Sequence, residues 1–131
     1  MNIRYRWRGY FTNEALNALH ADGFEHEPLD DDWETQVDRH SLGWVCAYEG
    51  DILIGFVNVA WDGGVHAFIL DTLVAGSHRR RGVGTQLLAF AADGSREAGC
   101  EWLHVDFDPV HRKFYMDAFG FTAAEAGLIR L

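Results

Sequence analysis

The stretch that decides the fold is Leu73-Val74-Ala75-Gly76-Ser77-His78-Arg79-Arg80-Arg81-Gly82-Val83-Gly84-Thr85. It lies between two segments of opposite character. Upstream, residues 65–74 form a long apolar run, the mark of a central strand buried on both faces. Downstream, Val83, Leu87, Leu88 and Ala91 fall on one stripe of a helix predicted over 82–98, with Gly94 weakening it and Gly99 as its stop. A strand, a glycine loop and a helix start therefore follow one another. The first N–H groups of a helix have no internal partner and carry partial positive charge. Glycine lets that backbone approach an anion, so the loop reads as a phosphate or pyrophosphate cradle. The Walker pattern fails, because Gly82 is followed by Val83. The dinucleotide fingerprint fails too, because its third glycine would fall on Leu87.

Working outward, residues 3–9 alternate large apolar side chains with arginine, as a half-exposed first strand does. Thr12 or Asn13 caps a helix through about Leu19, ended by Gly23. Residues 45–48 and 53–61 read as strands joined at Gly50 and Asp51, and Asp62-Gly63-Gly64 makes a second turn. A strand over 102–107, a short helix over 111–119 and a last strand over 126–131 complete the chain. The fold class is α/β (α+β, mixed sheet): a mostly antiparallel sheet flanked by helices. With 131 residues and no internal repeat, the expectation is one domain spanning 1–131.

The composition narrows the function. Apolar residues make up 48% of the chain, enough for a globular core. The net charge is −9, from 11 basic and 20 acidic residues, which argues against nucleic acid as a general partner. Two cysteines, Cys46 and Cys100, make neither a disulfide framework nor a four-thiolate zinc site. No apolar run reaches membrane-spanning length, and the N-terminus lacks the pattern of a secretory signal. A cytoplasmic location with no membrane partner is the expectation.

Arg79-x-x-Gly82-x-Gly84 resembles the Gln/Arg-x-x-Gly-x-Gly/Ala loop of the Gcn5-related N-acetyltransferase (GNAT) superfamily. Residues 108–121, Asp-Pro-Val-His-Arg-Lys-Phe-Tyr-Met-Asp-Ala-Phe-Gly-Phe, are similar to that family's Asn-x-x-Ala-x-x-Phe-Tyr…Gly-Phe segment. The two motifs stand in the family's order, as do the elements around them. Three departures occur. Asp108 replaces the usual Asn, and His111 replaces the usual Ala. Four residues separate Tyr115 from Gly120 where three are common, so the helix either starts one residue earlier or carries a bulge.

The resemblance implies acetyl-CoA as acetyl donor, with no metal. It implies cofactor contacts at Leu73 and Val74 (main chain), at Arg79, Arg80, Arg81, Gly82, Val83, Gly84 and Thr85, and at Asp108, His111 and Phe114. It implies direct attack by an amine, with no acyl-enzyme, and a homodimer is plausible on the same ground. Tyr115 is the candidate general acid for the departing thiolate, because a phenol is a feasible donor. The alternative is that it only packs the last helix. For the base, Asp71, a water relay and, more remotely, His66 stay open. Neither cysteine sits where an activated nucleophile would.

Two further readings compete. His104, Asp106 and Asp108 share one strand face and, with His111, have the ligand types of a divalent metal site; lining of an acceptor pocket is the plainer reading. A non-catalytic acyl-CoA-binding module is the other alternative. Finally, seven acids lie within residues 25–38, with Trp33 among them. They suit either a solvated loop or a surface that attracts a cationic small-molecule or peptide amine, with Trp33 as a cation–π face.

Overall fold

A computed structural model describes residues 2–131; Met1 lies outside them. Its five strands are β1 (Ile3–Trp7), β2 (Ser41–Glu49), β3 (Ile52–Trp61), β4 (His66–Val74) and β5 (Trp102–His104). They form one sheet in sequence order. The first three pairings are antiparallel, and β4–β5 is parallel. Helices α1 (Asn13–Phe24) and α2 (Trp33–His40) pack on one face, and α3 (Val83–Glu97) packs on the other.

Strand alternation sends two side-chain sets to two cores. Val45, Ala47, Val57, Val59 and Ile69 meet Val83, Leu87, Leu88 and Ala91 of α3. Trp44, Cys46, Phe56 and Leu73 meet Leu16 and Leu19 of α1, and Trp33 and Val37 of α2. Each fully buried leucine contributes about 1.5–3 kcal/mol of transfer free energy, which holds α3 against the sheet through Leu87 and Leu88. Gly94 is where Trp7 crosses that helix. A Cβ there would lie 2.6 Å from the indole, which is also tight against Gly43.

Several elements depart from the sequence expectation. Thr12 caps α1 by accepting Ala15 N–H at 3.1 Å, but the helix runs through Gly23 to Phe24 and ends at left-handed Glu25. Gly23 is not a stop. It sits over β4, where a Cβ would be 3.2 Å from Leu73. The acidic segment contains a helix, α2, that charge had masked. Asp32 caps it by accepting from Thr35 N–H and Oγ1, and those bonds lower its carboxyl pKa. The expected strand over 126–131 does not form: this segment is irregular and exposed, with no sheet partner. Its Ala-Glu-Ala-Gly lead-in offers little to bury. The strand expected over 102–107 stops at His104, because β5 pairs with β4 only from His66 to Phe68.

Candidate active site

Beyond Phe68, β4 and β5 separate, leaving one edge of β4 without a strand neighbour. A cleft of about 1510 Å³ opens there. It is bounded by Ile69–Val74 of β4, by the loop and first turn of α3, by residues 105–108, and by the turns that follow.

A bulge re-aims β4 inside this cleft. Asp71 and Thr72 stand opposite the single residue Val57, between the pairs Leu70–Asn58 and Leu73–Phe56. Such two-against-one insertions bend a strand and turn its side chains. Asp71 takes up the distortion with φ +53°, a left-handed value that aspartate tolerates better than most residues. Its side chain is about a quarter exposed, and burial raises its pKa. The His20 ring, 3.8 Å away, acts in the opposite and smaller sense. Thr72 Oγ1 is buried and meets no hydrogen-bond partner of full geometry.

Tyr115 stands on the other wall. Its ring is buried, stacks on Phe107 at 4.9 Å and meets Phe114 edge-on at 4.8 Å. Burial raises the phenol's pKa, the Thr72 hydroxyl eases it down slightly, and Asp106 adds to the rise. At neutral pH the group is therefore a protonated donor. The extra residue before Gly120 is absorbed by a bulge, as one of the two sequence options had it. Lys113–Phe119 winds as a π-helix, and Gly120 N–H donates to the Tyr115 carbonyl five residues back at 3.1 Å. A 3₁₀ turn, Pro109–His111, precedes it.

The third wall is the glycine loop. Gly82 caps α3 at φ +79°, with no side chain capping the helix. Gln86 N–H is the first to find its intrahelical carbonyl, on Gly82. Val83, Gly84 and Thr85 thus lead into the helix with N–H groups available to a ligand. Gly84 lies so near Phe114 that a Cβ would be 3.0 Å from the ring. The loop is anchored at two points. Gly76 N–H donates to Asp22 at 2.7 Å, and His78 Nε2 lies 2.9 Å from Glu49.

The cleft thus brings together Asp71, Leu73, Val74, Arg79, Arg80, Gly82, Val83, Gly84, Thr85, Asp108, His111, Phe114 and Tyr115. Arg81 lies outside its lining. Leu73 turns its side chain into the core, so only its main chain is available. Two alternative readings, the His104–His111 metal cluster and the Trp33 cation–π face, are not met by the geometry. His104 does not converge with Asp106, Asp108 and His111; it lies 2.7 Å from His66 Nδ1 and stacks on Phe68. Among the described residues, no three His, Cys, Asp or Glu side chains are grouped to hold a metal. Trp33 is buried and donates to Asn17 at 3.0 Å, so it offers no face to a ligand. Cys46 is buried with its thiol pushed up to about 12, which excludes it as a nucleophile. Sequence reasoning missed Thr72 and His20, while Asp106, read there as a pocket-lining residue, does line the cleft. Only the bulge and the packing of α1 on β4 give Thr72 and His20 their places, and neither leaves a local signal.

A mixed five-stranded sheet that splays at β4–β5 over a glycine-started helix is the fold of acyl-transferring N-acetyltransferases. The profile of the Acetyltransferase (GNAT) family matches residues 7–121, and the chain belongs to that family. No curated protein sequence matches it. Solved structures are similar over nearly the whole chain. A probable acetyltransferase of unknown function from methicillin-resistant Staphylococcus aureus is 21% identical, with TM-score 0.81, covering 99% of this chain and 98% of that one. A protein described as a transcriptional regulator from Bacillus halodurans is 17% identical, with TM-score 0.82 and 99% of both chains covered. An aminoglycoside N-acetyltransferase, AAC(6')-Iy, in complex with CoA is 21% identical, with TM-score 0.77, covering 99% and 94%. Among the described residues, no helix is long and apolar enough to cross a membrane.

Proposed function

We propose that this protein transfers the acetyl group of acetyl-CoA to a primary amine of a small molecule or peptide by direct attack. One observation carries the reading. A buried phenol, the Thr72 hydroxyl beside it, an open strand edge and an uncapped helix start all line a single cleft. The fit to the donor follows from these groups. The N–H groups of Val83, Gly84 and Thr85, with Arg79 and Arg80, suit a pyrophosphate. The free edge of β4 suits an extended amide arm, which pairs as an added strand. Bound there, acetyl-CoA supplies an activated acyl group.

The chain's own residues then divide the proton work. Tyr115 holds a proton for the leaving thiolate, and its raised pKa keeps that proton in place through neutral pH. Asp71, pushed towards greater basicity by burial, takes a proton from the amine. Main-chain N–H groups near Leu73 and Val74 polarise the acyl carbonyl. Glu25, Glu27, Asp30 and Asp31, exposed in the segment that follows Phe24, add a negative field that draws cationic acceptors.

Release of free CoA thiol in the presence of an amine panel tests the function. Turnover with a polyamine, an aminoglycoside or a lysine peptide is the expected result. Acceptor-independent binding by calorimetry without turnover would mark a binding module instead. The steering role predicts that kcat/KM for cationic acceptors falls several-fold between low and physiological salt; a salt-independent rate refutes it.

A further inference from the structure

The proton taken from the acceptor amine needs a way out of the cleft. We propose that Asp71 and His20 share it as a pair, and that His26 passes it from there to solvent. This rests on the acetyl-transfer reading given above.

The argument begins with hydrogen-bond capacity. His26 Nδ1 lies 2.6 Å from the Glu27 carbonyl oxygen. A carbonyl only accepts, so Nδ1 carries a hydrogen. In the neutral ring, Nε2 is then an acceptor, and its partner is His20 Nδ1 at 2.8 Å. His20 Nδ1 must therefore donate. That leaves the neutral His20 ring with a bare Nε2, and this is the atom that faces Asp71 Oδ1 at 3.8 Å. Two acceptors face each other with no proton between them. The pair is built to take one proton, on either side. The remaining distance closes by a small carboxylate rotation or through one water, as resting-state catalytic contacts commonly do.

The titratable groups facing His20 are Asp71 from β4 and His26 from the segment after α1. Its other ring contacts are Phe24 at 4.6 Å and Trp33 of α2 at 5.5 Å. These aromatic rings offer no acceptor that competes for the ring protons of His20. The two ends of the chain differ as a relay requires: Asp71 lines the cleft, and His26 is exposed.

The transfer balances. An N–H bond of the amine breaks, and its proton goes to an Asp71 oxygen and on to His20 Nε2. The Nδ1 proton of His20 moves to His26 Nε2, the exposed His26 imidazolium gives up a proton to water, and rotation of the two rings restores the starting Nδ1–H tautomers. Only N–H and O–H bonds change, so no oxidant, reductant or further reactant is needed. Asp71 contacts the substrate side; His20 and His26 act through it and are positioning residues.

The experiment compares the full-length wild type with His20→Gln and His26→Gln, using acetyl-CoA and whichever of spermidine, kanamycin or a lysine peptide turns over. His20→Gln keeps a polar amide beside Asp71 but cannot ferry a proton. The expected result is a kcat loss of about 10- to 100-fold, with KM for acetyl-CoA unchanged and rate partly restored by added imidazole. His26→Gln gives a smaller loss with the same rescue. An unchanged kcat and pH profile in His20→Gln overturns the proposal, as does a loss that imidazole leaves untouched. A second arm needs no turnover. Ring ¹⁵N shifts are expected to show the Nδ1–H form of both neutral histidines, and Asp71→Asn is expected to lower the titration midpoint of His20. A midpoint that does not move refutes the pair. If the wild type acetylates no acceptor while the rings behave as stated, the acetyl-transfer reading fails and the paired site stands.

Discussion

Replacing Tyr115 with phenylalanine separates packing from chemistry. The change removes one oxygen. The ring contacts to Phe107 at 4.9 Å, Phe114 at 4.8 Å and Phe121 at 6.0 Å remain possible. Thr72 Oγ1 has no full hydrogen bond to lose. The stability cost is therefore at most that of one weak hydrogen bond, about 1 kcal/mol, which in a chain of this size shifts Tm by about 4 °C. A general acid contributes about 10²–10⁴ in rate, equivalent to about 2.7–5.4 kcal/mol of barrier. The two readouts thus fall well apart: thermal unfolding nearly unchanged, kcat down at least a hundredfold. The pH profile adds a signature. The phenol works only while protonated and its pKa lies above the ordinary value, so wild-type activity holds through mildly alkaline pH and declines only beyond about pH 10. Tyr115→Phe loses that decline. Steady-state kinetics across pH, with CoA affinity from calorimetry, make the comparison. If Tyr115→Phe keeps kcat within about threefold at every pH, far inside the range expected of an acid, the phenol only packs and the proton assignment is wrong.

Gly82→Ala places an L residue at φ +79°, a cost of about 1–2 kcal/mol. The loop relaxes away from its cradle geometry, and calorimetry is expected to show CoA affinity down about tenfold. Asp71→Asn removes a partly buried carboxylate whose pKa is raised by desolvation. The charged form is the penalised one, so the wild type loses stability as pH rises through that pKa. The variant is thus expected to melt higher at neutral pH, with the gain vanishing near pH 3, while kcat falls. Asparagine also tolerates the left-handed backbone. Equal Tm values at pH 7 refute the sign. Gly94→Ala drives a methyl to 2.6 Å from a Trp7 ring already held by Gly43. Overpacking of about 1–3 kcal/mol outweighs the roughly 1 kcal/mol gain in helix propensity, and Tm drops by several degrees.

The parts legible in the sequence are those where a local pattern meets a local cause. The apolar run of β4, the stripe of α3 and the glycines between them each report on their own few residues, so the loop and the sheet are readable. Asp71 was visible as a residue, but its left-handed backbone arises from a bulge against Val57, which belongs to strand pairing. His20 is an ordinary polar position of α1 until packing sets it beside β4. α2 escaped because only Trp33 and Val37 of its eight residues are buried, and its charges dominate the pattern. The strand expected over 126–131 does not form, and Leu128, Ile129 and Leu131 within it are exposed; apolar content alone does not make a ladder when no neighbour offers hydrogen bonds. The spacing between Tyr115 and Gly120 announced an extra residue, and the π-helix shows how the backbone accommodates it.

The open edge of β4 has a consequence for the life of the protein in a cell. An unpaired strand edge is a template on which other chains add. On the proposed function, donor and stray strands compete for the same row of backbone groups. A bound donor at a hundred times its Kd adds about 2.7 kcal/mol to stability and closes that row. Abundance of the folded protein would then follow the supply of its donor: scarcity would expose the edge and shorten its lifetime before any gene was switched off.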